Sequence, residues 1–397
     1  MRVLLVGCGA VGEAIAVTSQ RRPWLESMVL ADYDLDRAGQ VQRRLDRPDQ
    51  FPIEQVDAQD TRRVLALARQ HRVDLVMNAV SNIYNDTVFD ATLEAGCGYI
   101  DMAMSDTGAR MGSHQFGQAV QWERKGQLAI LGMGMDPGIS DVFAKHAEKH
   151  LFDEIDEIGI RDGANLQIEG YEFAPTFSII DTIEECTDPP LIWERERGWY
   201  TTEPFSDPEV FHFPEGIGPL ECVNIEHEEV VLIPRWIQCR RVTFKYGLGE
   251  KFINVIKAIK LLGLESAKPV SVKGVMVAPR DLLVACLPNP ASLGERMTGQ
   301  TCVGTWVTGT KEGRPRQVYL YQSTDNAFSM QKFGCQAVAL QTGLGPVIAM
   351  ELLATKVWKG KGVLGPEAFD PDPYLALMPA LDLPYGMVEL GATDETR

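Results

Sequence analysis

Residues 1–12 read MRVLLVGCGAVG, and the fold turns on whether this apolar start is an export signal or a strand leading into a phosphate-binding turn. An export signal needs a charged start, a long apolar core and a small-residue cleavage site. Here the apolar run Val3–Val6 is only a strand's length, and the next residues carry Gly7, Gly9 and Gly12 at the spacing G-x-G-x-x-G. That spacing has a physical basis. The first glycine turns the chain sharply out of the strand, the second lets backbone approach a pyrophosphate, and the third lets a helix pack closely on the sheet. The helix start, with Ala10 and Val11 in its first turn, then presents unpaired amides to the phosphates.

The glycine motif alone is weak, so the surrounding pattern must carry it. SMVLADYDLDRA (27–38) reads as a second strand ending in Asp32, whose carboxylate can accept hydrogen bonds from ribose hydroxyls and would repel a 2′-phosphate. With no basic residue before Arg37, the pattern favours NAD over NADP. Asp34 reads as the cap of the next helix. FPIEQVDA (51–58) resembles a third strand with Asp57 at its end, and VDLVMNAVS (73–81) a fourth. The fourth is nearly all apolar, as a strand buried on both faces should be. Its polar end places Asn78, Ala79 and Ser81 where cofactor and substrate meet. GYIDMA (98–103) and GQLAILGMGMDPG (126–138) continue the series. Strand–helix alternation over residues 1–134 predicts a Rossmann domain, a doubly wound parallel sheet that binds NAD(P).

Beyond Asp136-Pro137-Gly138 the pattern becomes one of alternating strands: 155–163, 230–236, 239–247, 269–277, 301–313 and 316–323, the last two joined by a KEGR turn. Residues 175–220 read as loop. The whole is α/β, with an α+β domain built on a largely antiparallel sheet (135–325, substrate binding and dimerisation). C-terminal helices (326–397) are expected to pack back on the Rossmann domain or to form an interface. The apolar stretch 333–360 is read as a buried core helix.

The totals agree with such an enzyme. A chain of 397 residues with 45% hydrophobic and 23% charged residues suits a soluble globular protein. The net charge of −17 argues against nucleic acid as a partner. No run reaches the roughly 18 consecutive apolar residues of a membrane span, so no membrane partner is expected. Eight scattered cysteines without CxxC imply free thiols and a cytoplasmic setting. His146 and His150 fall on one helix face without a third ligand nearby, and no metal is expected.

A dinucleotide domain joined to an antiparallel domain points to hydride transfer, with a proton relay supplied by the protein. The candidates are the polar groups at the strand ends: Asn78, Ser81, Asp101, Asp106 and Asp136. Arg235, Arg240 or Arg241 could pair with a substrate carboxylate.

GCGAVG, VDLVMNAVS running on to ATLEAGCGYIDMA, GMDPGISDVFAKHA with FDEID, and GVLGPEAFDPDPYLAL resemble the saccharopine dehydrogenase-like oxidoreductases over nearly the whole chain. Two branches share features with it. NPASLGERMTGQTCVG is similar to carboxynorspermidine dehydrogenases, which reduce an imine formed from an aldehyde and a diamine. VLADYDLDRA, TDPPLI and GPLE are similar to NAD-linked L-lysine 6-dehydrogenases. The resemblance implies a cleft between two domains, a homodimer, and a small amine or amino-acid substrate bearing a carboxylate. It also implies that Gly7, Gly9, Gly12 and Asp32 hold the cofactor, with Asp57 and Asn78 lining it. Asp101, Asp136, Pro137 and Gly138 would border the substrate; from the residues themselves, and not from the resemblance, Asp101 and Asp136 are taken as the catalytic candidates and Arg240 as a carboxylate partner. A non-catalytic NAD-sensing protein is the reading from another class.

Overall fold

The computed structural model describes residues 1–107 and 110–391. Each short apolar run of the N-terminal part becomes a strand and each amphipathic stretch a helix. In chain order these are β1 (Arg2–Val6), α1 (Ala10–Ser19), β2 (Ser27–Asp32), α2 (Leu35–Arg43), β3 (Ile53–Gln55), α3 (Thr61–Gln70) and β4 (Leu75–Asn78). Then come α4 (Asn85–Ala95), β5 (Gly98–Ile100), α5 (Ser113–Gly117), α6 (Ala119–Arg124), β6 (Leu128–Ile130) and α7 (Ile139–His146). Asp34 caps α2, accepting the amides of Asp36 and Arg37.

The middle of the chain supplies β7 (Glu154–Ala164), β8 (Gln167–Ile168), α8 (Ile179–Thr187), β9 (Leu191–Glu194), β10 (Gly198–Thr201), β11 (Glu209–Phe213) and β12 (Gly218–Asn224). These are followed by α9 (Glu229–Trp236), β13 (Arg241–Gly247), α10 (Glu250–Leu261), β14 (Val270–Val272), β15 (Val275–Val277) and α11 (Pro279–Cys286). The remainder is β16 (Met297–Thr298), β17 (Gln300–Lys311), β18 (Arg314–Asp325), α12 (Asn326–Phe333), α13 (Ala337–Ala354), β19 (Gly362–Leu364), α14 (Pro371–Ala380) and β20 (Tyr385–Leu390).

Two compact units result. The first comprises Met1–Lys149, Val231–Ile237 and Ala339–Tyr385, and the second His150–Val230, Gln238–Val338 and the segment from Gly386. The boundary expected at 134/135 falls at Lys149/His150, because α7 packs within the first unit, its Phe143 ring 5.7 Å from Tyr385. Of the expected C-terminal helices, α13 and α14 belong to the first unit almost entirely, whereas α12 belongs to the second. Residues 392–397 of that segment lie outside the described residues.

The sheet of the first unit runs β19-β6-β5-β4-β1-β2-β3, every neighbouring pair parallel. Chain progress reverses between β1 and β4, the position where open α/β sheets bind ligands at their carboxyl ends. Val3–Val6 of β1 are completely enclosed. Helix α13 lies against α1 because Gly343 has no side chain. A Cβ there would sit 3.0 Å from Ala14 Cβ and 3.2 Å from the Ile15 amide nitrogen. Arg22 and Trp24 then fasten α13 through Glu351, at 2.6–3.1 Å. By length and composition α13 could cross a membrane, yet 78% of it is buried in the protein, as in a core helix.

The second unit is built on a nine-stranded sheet with path β10-β9-β13-β7-β17-β18-β20, β12 joining at β13 and β11 at β12. All its ladders with stated direction are antiparallel except β13 on β7. The KEGR turn forms the β17–β18 hairpin, with Glu312 and Gly313 in the left-handed region that a two-residue hairpin loop requires. Three expectations are corrected. VVLIPRW (230–236) is helical despite its β-branched residues, with Pro234 inside α9. Residues 269–277 are two strands folded at Lys273-Gly274. Residues 175–220 hold α8 and four short strands, too short for their alternation to stand out. All eight cysteines are free thiols.

Candidate functional site

The glycine turn fits a dinucleotide. Gly7 has φ +99°, and a Cβ on it would lie 2.5 Å from the Ala79 carbonyl oxygen, at the end of β4. A Cβ on Gly12 would overlap the Gly7 carbonyl oxygen. These two glycines are demanded by packing of the chain on itself. Gly9 is different: a Cβ on it would meet nothing within 4 Å, so open space lies above its backbone. Gly9 precedes α1, leaving the first-turn amides of Ala10, Val11 and Gly12 without helical partners. A pyrophosphate needs just such space and donors.

Asp32, buried at the end of β2, accepts the Cys8 amide at 2.6 Å and the Asp34 amide at 2.9 Å. Each carboxylate oxygen keeps a lone pair for a ribose hydroxyl. Asp57 is exposed and accepts the Gln59 amide at 2.9 Å, shaping the turn after β3.

At the end of β4, Asn78 donates to Asn85 Oδ1 at 2.7 Å and to the Tyr99 hydroxyl at 3.0 Å. Its buried Oδ1, like that of Asn82, has no hydrogen-bond partner among the described residues. A buried acceptor left open is costly, and a donor from bound water or a ligand would be favourable at both. Ser81 precedes the short helical turn that carries Asn82.

Asp101 is fully engaged. It accepts the Gly132 amide at 2.7 Å and the Gln115 side-chain amide at 2.7 Å, while its backbone carbonyl accepts from Met133 at 2.8 Å. Burial and neighbouring Asp101 push the Tyr99 hydroxyl well above its ordinary pKa, so Tyr99 stays protonated. Asp101 thus fastens the 132–138 turn. That turn closes through the Gly134 amide donating to the Pro137 carbonyl at 2.7 Å and the Gly138 amide donating to Asp141 at 2.7 Å. At Gly138, with φ +135°, a Cβ would overlap the Gly134 carbonyl oxygen. Asp136 in this turn is partly exposed. Asp372 lies 3.7 Å from His146, and the potential ligand atoms of His146, His150 and Asp372 fall within 4.8 Å of one another, which corrects the expectation that the two histidines have no third ligand nearby.

The three arginines differ. Arg240 is exposed and paired with Asp156 at 3.2 Å. Arg241 lies 3.7 Å from Glu157 and 4.0 Å from Glu194. Arg235, on α9, has no ion pair or hydrogen bond among the described residues; its guanidinium lies 3.8 Å from the centre of the Phe116 ring. Arg235 too is exposed; partial desolvation, then the like charge of Arg110, lowers its pKa, and Glu367 opposes this. Such an arginine is suited to a carboxylate.

The second unit contains a cluster that the motif search passed over. His227 Nδ1 lies 2.6 Å from Glu229 and 3.3 Å from Glu228, all three buried. The His227 ring stacks on Phe244 with centroids 3.8 Å apart. The three potential ligand atoms fall within 4.8 Å of one another, so they could hold a proton or a cation. Glu185 on α8 belongs to the same electrostatic group. Desolvation is the main cause that pushes its carboxyl up to about 8; His227 opposes this, and Glu228, Asp181 and Glu229 add to it. The side chain nevertheless keeps some solvent contact. The sequence signal was present as HEE (227–229) and EEC (184–186), but only the tertiary fold unites them.

Family models match the chain almost end to end: the saccharopine dehydrogenase NADP binding domain over residues 3–130, and its C-terminal domain over 134–382. Carboxynorspermidine synthase of Vibrio alginolyticus is 30% identical, the match covering 98% of this chain and 97% of that protein. Carboxyaminopropylagmatine dehydrogenase of Synechocystis is 29% identical over 98% of both. Among solved structures, apo saccharopine dehydrogenase (L-Glu forming) of Saccharomyces cerevisiae shares the fold, with a TM-score of 0.74, 13% identity, and coverage of 98% of this chain and all of that one. The chain is an oxidoreductase that takes a nicotinamide dinucleotide, and it belongs to the saccharopine dehydrogenase family.

Proposed function

We propose that the protein oxidises or reduces a C–N bond of a carboxylated polyamine, by hydride transfer between its carbon and NAD. The observation that carries the substrate class is the end-to-end likeness to two relatives named for carboxylated polyamine and agmatine substrates. NAD is preferred to NADP because Asp32 offers two oxygens to the ribose and would repel a 2′-phosphate.

A bound dinucleotide supplies or accepts the hydride. The chain's residues do the rest. Ala10, Val11 and Gly12 offer amides to the pyrophosphate, and Asn78, Ala79 and Ser81 border the reacting end, with Asp57 beyond the ribose. Arg235, in place of Arg240, binds the substrate carboxylate. When an imine is reduced, hydride goes to carbon and a proton to nitrogen; oxidation of the amine reverses both. Asp136, partly exposed beside Pro137 and Gly138, is the acid–base group. Asp101 acts as a positioning residue, since its oxygens are committed to the 132–138 turn.

The chain works as a homodimer in the cytoplasm, on this reading. Free thiols throughout support the compartment. The dimer is supported by exposed apolar side chains gathered in one stretch, Leu261, Leu262, Val270, Val272, Val275 and Met276.

The test offers purified protein carboxynorspermidine, saccharopine and lysine, each with NAD and with NADP, following reduced-cofactor absorbance. Turnover is expected with the carboxylated polyamine. Turnover of lysine alone would overturn the substrate class. Silence on every amine with dinucleotide binding intact would favour a sensing protein.

A further inference from the structure

Glu13, the residue after the third glycine of the turn, is buried in the first turn of α1. It holds two arginines. Its Oε2 accepts Arg37 Nη2 at 2.5 Å, and its Oε1 accepts Arg44 Nη1. Arg37 also donates through Nε to the Cys8 carbonyl at 2.7 Å and through Nη2 to the Gly9 carbonyl at 3.2 Å. The amide of that same Cys8 donates to Asp32. Arg37 and the ribose carboxylate therefore meet at one residue, from opposite sides of its peptide groups.

An arginine beside the ribose is what a 2′-phosphate seeks, since phosphate and guanidinium pair through two parallel hydrogen bonds. Here that pairing is forestalled. The two arginines and the two carboxylates, Asp32 and Glu13, cancel in charge. The Arg37 fork is turned toward backbone carbonyls and Glu13.

We propose that Glu13 is a specificity-determining residue for the dinucleotide: by clamping Arg37 and Arg44 it withholds both cations from a 2′-phosphate, so that NADP is excluded by two carboxylates and not by Asp32 alone. This rests on the reading of Asp32 as the ribose carboxylate. Removing the Glu13 charge leaves one net positive charge beside the ribose and frees the Arg37 fork.

Calorimetry with 5′-AMP and adenosine 2′,5′-bisphosphate tests this without turnover. The wild-type protein is expected to bind 5′-AMP more tightly. Glu13→Gln, which keeps shape and removes charge, is expected to narrow that preference about tenfold, and Glu13→Gln/Arg37→Met to restore it. An unchanged preference in Glu13→Gln, with an unchanged melting temperature, overturns the proposal. So does a wild-type protein that already binds the bisphosphate as well as 5′-AMP. Arg37→Met alone gives an arm that does not depend on the first variant folding. Its preference for 5′-AMP should hold or rise, since one net negative charge is then left beside the ribose, and a preference that falls overturns the clamp. Asp32→Asn separates the two readings. If it relaxes the preference while Glu13→Gln does not, only the clamp fails; if Asp32→Asn changes nothing, the ribose reading itself fails.

Discussion

A carboxyl group that titrates near 8 ties folding to pH, and Glu185 offers a direct measurement of that coupling. The folded chain keeps the Glu185 proton up to about 8, whereas the unfolded chain releases it near the ordinary value of 4.5. Between those values the folded state binds more protons, so the stability it draws from this group below 4.5 is lost as pH rises through 8. Glu185→Gln cannot ionise. Its melting temperature relative to wild type should therefore climb from pH 5 to pH 9, and a constant difference would contradict the assigned proton. Arg235→Met should raise KM for a carboxylate-bearing substrate roughly tenfold or more while leaving 5′-AMP affinity unchanged, the loss of one charge-assisted pair. Residue-scale legibility followed sequence distance. The glycine turn and the placing of Asp32 at the end of β2 were readable because one strand–turn–helix and the strand beside it set them. The pairing of Arg240 with Asp156 was not readable, because the two lie far apart in sequence. Glu185 and His227 were missed for the same reason, since a helix and a loop bring them together only after folding.

At the scale of elements, the packing of α13 on the first unit depends on glycine. A Cβ on Gly345 would overlap the Gly134 carbonyl oxygen, a backbone atom that cannot turn aside. Gly345→Ala should therefore destabilise the protein by about 1–3 kcal/mol, the usual range for overpacking, as read in a chemical denaturation curve. The same displacement would reach the 132–138 turn. The strands β1, β2 and β4 were legible because burial on both faces makes them apolar throughout. α9 was read as a strand because Val230, Val231 and Ile233 favour β geometry in isolation, and burial overrode that preference. The β17–β18 hairpin was legible because its turn residues set the loop conformation directly.

The apolar patch about the β14–β15 hairpin belongs to the molecule as a whole. Leu261 and Met276 are 86% and 63% exposed in the single chain, an arrangement that an isolated soluble protein rarely maintains. Val275→Asp/Met276→Asp should shift sedimentation from dimer to monomer with little change in 5′-AMP binding, because neither residue approaches the glycine turn in sequence or unit. The net charge and composition carried no information on where the apolar surface gathers, and so none on assembly.

The first unit is not finished where its glycine turn suggests. Its sheet waits for β19, and α1 waits for α13, both encoded after most of the second unit. At roughly 5–20 residues per second, a ribosome needs on the order of ten seconds or more to span that interval. During synthesis β6 is thus an open sheet edge, and the nucleotide turn is backed by an uncovered helix. A nascent chain halted before residue 339 would display the dinucleotide motif without the support that holds it in shape, so cofactor capture belongs to the end of translation.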